Sequence, residues 1–211
     1  MTRRGLLIDW GGVLTTNLFQ TFSDFCSREG LDPHALGQAL VGDSEARRLL
    51  VAFETGRMAE REFEVGLAER LGVDDHRLTD RLFAGLGAEP SMIEAVVEAR
   101  RAGIRTGLLS NSWGGRYDRS RWEEMFDVTV ISGELGMRKP DPEIYELAAE
   151  RLGLPPGEIV FVDDIPRNLE PAEAAGMATI HHTDPAATLD RLEELLGIRF
   201  TAARSALEQA A

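Results

Sequence analysis

The chain is poor in lysine, cysteine and positive charge, and it has no long hydrophobic run. Lys139 is the only lysine among 23 basic residues; the others are arginine. Lysine is a compact point charge that arginine does not copy, so a single retained lysine, in Gly136-Met137-Arg138-Lys139-Pro140, marks a candidate functional group. The lone cysteine, Cys26, cannot form an internal disulfide, and the expected location is a reducing one, the cytoplasm. Against those 23 basic residues stand 36 acidic ones, for a net charge of −13. Such a surface argues against nucleic-acid partners and against anionic membranes. The first apolar run is cut by Asp9 too early for a signal peptide, and no run is long enough to span a bilayer. The composition, 211 residues with 43% hydrophobic content, suits one α/β domain carrying at most a small insertion. Neither an internal repeat nor a low-complexity tract is present, and oligomeric state is unreadable.

What the chain does have is four polar clusters, three of them directly after apolar runs. Asp9 follows Gly5-Leu6-Leu7-Ile8, Ser110-Asn111 follows Gly107-Leu108-Leu109, and Asp163-Asp164 follows Ile159-Val160-Phe161-Val162. Continuous rather than alternating apolar runs predict buried parallel strands. Lys139 lies just past a fourth. In an open α/β sheet, ligands bind beyond the carboxyl ends of the strands. The four clusters therefore converge on one crevice.

The rhythm of the chain supports this. After strand 5–9 and the turn at Gly11-Gly12, residues 17–88 lack a convincing strand and carry helical periodicity, with Phe19, Phe22, Phe25 and Cys26 on one face and Phe63, Leu67, Arg70 and Leu71 on another. This stretch is expected to be a helical cap domain inserted into a core of 1–16 and 89–200. The core continues as helix 90–102, strand 104–109, helix 115–125, strand 127–131, helix 141–152, strand 158–162, helix 168–175, strand 178–181 and helix 185–196. Alternating strands and helices predict a parallel sheet with right-handed crossovers. Residues 201–211 read as a helical or frayed tail.

Each cluster has a chemical reading and a plainer one. Asp9 can attack phosphorus as a nucleophile or simply cap a turn. Gly11 and Gly12 let the backbone approach an oxyanion closely, and glycine at 11 is expected to hold a conformation that aspartate tolerates poorly. Asp163 and Asp164 repel each other unless a cation or donors compensate, which suits Mg²⁺; one of them can also cap the next helix. Because strand side chains alternate, only one is expected to ligate directly. Ser110-Asn111 can hold a phosphoryl oxygen, and Lys139 can neutralise charge on the transferring group. Arg47, Arg48, Arg57 and Arg61 are candidates for contacts to anionic substrate groups, although a solvated charged face accounts for them better.

Leu6-Leu7-Ile8-Asp9-Trp10-Gly11-Gly12-Val13-Leu14, Leu108-Leu109-Ser110-Asn111, Gly136-Met137-Arg138-Lys139-Pro140 and Phe161-Val162-Asp163-Asp164 together resemble the four motifs of the haloacid-dehalogenase-like hydrolases, in the subgroup with a helical cap after the first motif. The stretch from Ser110 to Met177 is especially similar to the phosphatase domain of bifunctional epoxide hydrolases and to bacterial sugar-phosphate phosphatases. The resemblance implies a Rossmann-like parallel sheet in the order 3-2-1-4-5 with an inserted helical cap. It implies a Mg²⁺-dependent phosphatase acting on a small phosphorylated metabolite, with Asp9 as nucleophile and Ser110 and Asn111 holding phosphate. Lys139 would supply charge, Asp9, the Gly11 carbonyl and Asp164 would hold Mg²⁺, and Asp163 would support them.

The departure is at Gly11, where phosphatases of this family usually carry a second Asp as general acid and base. General acid–base help contributes roughly 10²–10⁴-fold, so its loss points to a slow enzyme, to good leaving groups, or to help from the substrate or another residue. The alternatives are a non-catalytic binding or regulatory member of the same fold and a dehalogenase-type hydrolase. A Schiff-base hydrolase is disfavoured because 17–88 contains no lysine.

Overall fold

Strand β1 (Gly5–Ile8) is buried along its whole length and organises everything around it. The structure, a computed structural model, describes residues 3–210. After β1 come α1 (Leu18–Arg28), α2 (Ala35–Gly42), α3 (Ser44–Glu54), α4 (Glu60–Leu71) and α5 (Leu78–Leu82). The chain then runs α6 (Pro90–Arg101), β2 (Arg105–Ser110), α7 (Trp122–Met125), β3 (Val128–Ile131), α8 (Ser132–Leu135), α9 (Pro142–Leu152), β4 (Ile159–Asp163), α10 (Pro166–Ala174), β5 (Ala178–His181), α11 (Pro185–Leu196) and α12 (Ala202–Ala210).

The strands form one parallel sheet in the order β3-β2-β1-β4-β5. Alternation along β1 explains its two buried faces. Leu6 and Ile8 pack with Met92, Val96, Leu189, Leu192 and Phe200 on one side; Leu7 packs with Ile144, Tyr145, Leu152 and Phe161 on the other. A strand covered on both faces needs a continuous apolar sequence, which is why these runs do not alternate. A third apolar cluster lies within α1–α5 and includes Phe25, Leu36, Leu50, Phe53, Phe63, Leu67 and Leu82. The helical insertion between β1 and β2 therefore has a core of its own, and Thr15 bridges Ala88 where it leaves and rejoins the sheet domain.

Two expectations change, and the tail takes the helical of its two readings. Helix 115–125 shrinks to Trp122–Met125, because Gly114 sits at φ 75 and Arg116 is drawn off to Glu60 and Asp80 of the insertion. Phe19 leaves the predicted face and is 60% exposed; Leu18, four residues before Phe22, faces inward and lines the cavity described below. The end of the chain is a docked helix, α12, whose first amides at Ala202 and Ala203 donate to the Glu98 carboxylate on α6. No described helix is long and apolar enough to cross a membrane.

Candidate active site

Asp9, Ser110 and Asp163-Asp164 stand at the carboxyl ends of three adjacent strands, because β2, β1 and β4 are neighbours in register. Lys139 reaches the same point from the loop after α8. Its ammonium is fully enclosed, 3.0 Å from Asp9 Oδ1 and 2.5 Å from Asp163 Oδ2. Burial alone would lower its pKa, but Asp163 and Asp9 outweigh that and hold the lysine protonated, well above its ordinary value.

The three carboxylates differ. Asp9 takes its bonds on Oδ1, from Lys139 and from the Trp10 amide at 2.7 Å, and leaves Oδ2 uncommitted. Burial, opposed by Lys139, pushes its pKa up to about 6. Asp163 is satisfied: beside Lys139 it accepts from the Ile165 amide at 2.8 Å and from Asn168 Nδ2 at 3.0 Å. Asp164 has no such partners. Its Oδ1 is buried without a hydrogen bond, and burial together with the charges of Asp9 and Asp163 pushes its pKa up to about 8. Gly12, at φ 75, makes room for it: a Cβ there would lie 2.3 Å from Asp164 Oδ2.

One oxygen from each of Asp9, Asp163 and Asp164 lies within 4.8 Å of the others. An unpartnered carboxylate oxygen beside two more carboxylates is a donor set for a hard, oxygen-seeking cation. These residues fit Mg²⁺, with Asp164 better placed to ligate than Asp163, whose oxygens are already engaged. Gly11 lines the same cavity. Its φ lies outside the left-handed region, contrary to expectation, and an added Cβ would meet only the Leu18 Cδ2 tip at 3.3 Å.

Ser110 Oγ accepts from the Tyr117 hydroxyl at 3.2 Å. Asn111 also has a structural task. Its amide clamps the Lys139 backbone, donating to the carbonyl at 3.0 Å and accepting from the N–H at 2.8 Å. This places the lysine and uses one of the two Nδ2 hydrogens, while Asn111 itself lines the cavity.

Above these groups lies a cavity of about 530 Å³. Several of its residues carry no local sequence signal. Glu54, at the end of α3, pairs with Arg138 at 2.7 Å and accepts from Trp113 Nε1 at 3.1 Å, tying the insertion to the loop that carries Lys139. Burial pushes its carboxyl up to about 7. Arg138 could have been suspected from its place beside Lys139. Arg116 and Arg167 also line the cavity. The arginines expected to do so do not: Arg47, Arg48 and Arg57 border a separate depression along α3, and Arg61 pairs with Asp75 at 2.7 Å. They sit on the solvated face of the insertion.

Comparison with known proteins agrees with this architecture. Bifunctional epoxide hydrolase 2 of Rattus norvegicus is 28% identical over 155 residues, 70% of this chain but only 28% of that protein. Glyceraldehyde 3-phosphate phosphatase of Methanopyrus kandleri is 31% identical over 148 residues, 62% of this chain and 61% of its own length. The chain therefore spans under two thirds of either relative. A haloacid-dehalogenase-family enzyme of Bacteroides thetaiotaomicron, solved with magnesium and inorganic phosphate, superposes with a TM-score of 0.61 at 26% identity, covering 86% of this chain and 94% of that one. The family model for haloacid dehalogenase-like hydrolases matches residues 4–176, and the chain belongs to that family.

Proposed function

We propose that this protein is a Mg²⁺-dependent phosphatase that hydrolyses a small phosphomonoester through an aspartyl phosphate on Asp9. The observation that carries this is the floor of the cavity: three clustered carboxylates, one with an unpartnered buried oxygen, against a fully enclosed lysine. Asp9, Asp164 and the Gly11 carbonyl would hold Mg²⁺, with Asp163 in support. When bound, the ion supplies charge stabilisation to the phosphoryl oxygens and relieves the repulsion among the carboxylates.

The chain's own groups divide the remaining work. Lys139 anchors Asp9 through Oδ1 and keeps Oδ2 available, while its charge offsets that of the transferring group. Ser110 accepts from Tyr117 and can turn its hydroxyl hydrogen from the Asn111 carbonyl, a long 3.5 Å away, to a phosphoryl oxygen. Asn111 and Asp163 fix the lysine from its backbone and its ammonium. The insertion acts as a cap that shields the reaction from water. The acidic surface fits a small-molecule substrate and not a nucleic acid or an anionic membrane, and the single cysteine fits the cytoplasm.

A non-catalytic binder of the same fold is the second reading, favoured by the side-chain gap at Gly11. Phosphate release from a panel of phosphomonoesters, with and without Mg²⁺, separates the two. The phosphatase reading requires metal-dependent turnover that Asp9→Asn removes; phosphate binding without turnover would support the binder.

A further inference from the structure

The cavity above Asp9 is much larger than a phosphoryl group, and away from its floor the lining is mixed: Glu54, Arg116, Arg138 and Arg167 bring charge to part of it, and the rest is carbon. Leu18, Phe83 and Leu86 come from the insertion, Trp113 from the loop after β2, and Trp10 from the turn after Asp9. Phe63 and Phe83 pack edge-on against Trp113, with centroids 5.6 Å and 5.5 Å away, so this wall is set before a ligand arrives. A flat apolar group matches it, whereas a polyhydroxylated chain would leave hydroxyls facing carbon.

A separate observation concerns protons. Apart from Asp9, the acids on the cavity lining are Glu54, Asp164 and the Tyr117 phenol. Glu54 is held between Arg138 and Trp113. Asp164 belongs to the metal cluster. Tyr117 donates to Ser110, and burial pushes its phenol up to about 12. Position 11 has no side chain. Each of these acids is thus engaged with a neighbour or with the carboxylate cluster, and among the described residues none is hydrogen-bonded to Asp9. The ester bond then breaks readily only where the leaving oxygen departs as a stable anion.

We propose that the substrate is an aryl phosphate, the phosphomonoester of a phenol-type hydroxyl on a flat apolar group. This rests on the phosphatase reading above and narrows it. Asp9 Oδ2 forms a bond to phosphorus as the aryl oxygen–phosphorus bond breaks, and that electron pair leaves on a phenolate, which takes its proton from solvent. Water then attacks phosphorus, the Asp9 carboxylate departs with the electron pair of its bond, and the water's proton passes to phosphate and solvent. Only the first step feels the leaving group, so kcat/KM carries the selectivity.

The test compares p-nitrophenyl, phenyl, benzyl, ethyl and acetyl phosphates on the full chain with Mg²⁺. Benzyl phosphate keeps the ring but must expel an alkoxide; ethyl phosphate lacks the ring. Phenyl phosphate is expected to exceed benzyl phosphate in kcat/KM by at least about 10²-fold, the scale of a missing general acid. Phenylphosphonate and benzylphosphonate, which are not hydrolysed, are expected to compete at about tenfold lower concentration than methylphosphonate, reading the apolar wall without turnover. Gly11→Asp, which needs only a small shift of Leu18, should raise benzyl turnover relative to phenyl. Benzyl or ethyl turnover within about threefold of phenyl would overturn the proposal, since no acid would then be missing. Equal competition by all three phosphonates would also overturn it. So would a Glu54→Gln or Tyr117→Phe variant that loses benzyl but not phenyl turnover, because that residue would be the proton donor. A flat ester profile with active acetyl phosphate hydrolysis defeats this proposal alone; no hydrolysis of any compound defeats the phosphatase reading beneath it.

Discussion

On the floor of the cavity, Asp9, Asp163 and Lys139 are almost wholly enclosed, and each is fixed by the others or by the backbone. On the wall above them, Leu18, Phe83 and Leu86 are half-buried side chains of a helical insertion with its own apolar core. The floor concentrates charge where three parallel strands end and the backbone has no freedom to relax. The wall presents an apolar side beside the charged groups of Glu54, Arg116, Arg138 and Arg167. A change on the floor should therefore disturb chemistry and folding together, because each charge compensates a neighbour. A change on the wall should alter selectivity and leave the floor's geometry in place.

Lys139→Arg probes the floor hardest. The ammonium sits between two carboxylates in a fully buried slot. A planar guanidinium cannot reproduce that geometry, and its extra volume overpacks the site. Turnover is expected to fall about 10²–10³-fold, and stability by about 1–3 kcal/mol in a denaturant titration. The loss of stability comes from burial, since Lys139 has no solvent-facing room for a larger group. A variant with parental kinetics would show that the floor tolerates rearrangement, and the contrast with the wall would fail.

The adjacent carboxylates divide the floor further. Asp163→Ala leaves Lys139 without its closest partner and Asn168 and the Ile165 amide unsatisfied, at an expected cost of about 3–5 kcal/mol. Asp164→Ala removes a carboxylate with an unpartnered oxygen, so folding should change little while Mg²⁺ binding, read by calorimetry, is lost. Equal destabilisation by the two substitutions would contradict this division.

Glu54 ties wall to floor, and pH tests that tie. Its carboxyl is raised from 4.5 to about 7, chiefly by burial and against the pull of Arg138. A raised carboxyl pKa favours folding while the group is protonated, so this contribution is complete below 4.5 and is lost as pH climbs through about 7. The span is about 3 kcal/mol. Unfolding free energy of the parent, corrected by Glu54→Gln, should fall by about that much between those limits. A difference that stays flat with pH would mean that the ion pair with Arg138 compensates burial in full.

Much of the floor was legible in sequence because its rule is simple. A strand covered on both faces must be apolar throughout, so Asp9 after Leu6-Leu7-Ile8 and Asp163-Asp164 after Val160-Phe161-Val162 stand out as interruptions. Lys139 stood out by composition. The clamp of Asn111 on the Lys139 backbone was not legible, because the two residues are 28 apart in sequence and meet only when β2 and the loop after α8 are assembled. The wall was still harder to read. Phe83 and Trp113 look like any aromatic residue with helical or loop neighbours, and Glu54 carries no mark of the burial that raises its pKa. Four exposed arginines on α3 and near it drew attention that belonged to Arg116, Arg138 and Arg167. Charge is easy to see in a sequence, but which way it faces depends on packing between distant elements.

The central claim is that Asp9 Oδ2 is the attacking atom. Acid-quenching the protein during turnover of a phosphomonoester with Mg²⁺, followed by peptide mass spectrometry, tests it most directly. The account predicts one added phosphoryl group, on the peptide containing Asp9 and localised to that residue, and none in folded Asp9→Asn. Steady turnover with no phosphoryl group on Asp9, or undiminished activity of folded Asp9→Asn, would contradict it.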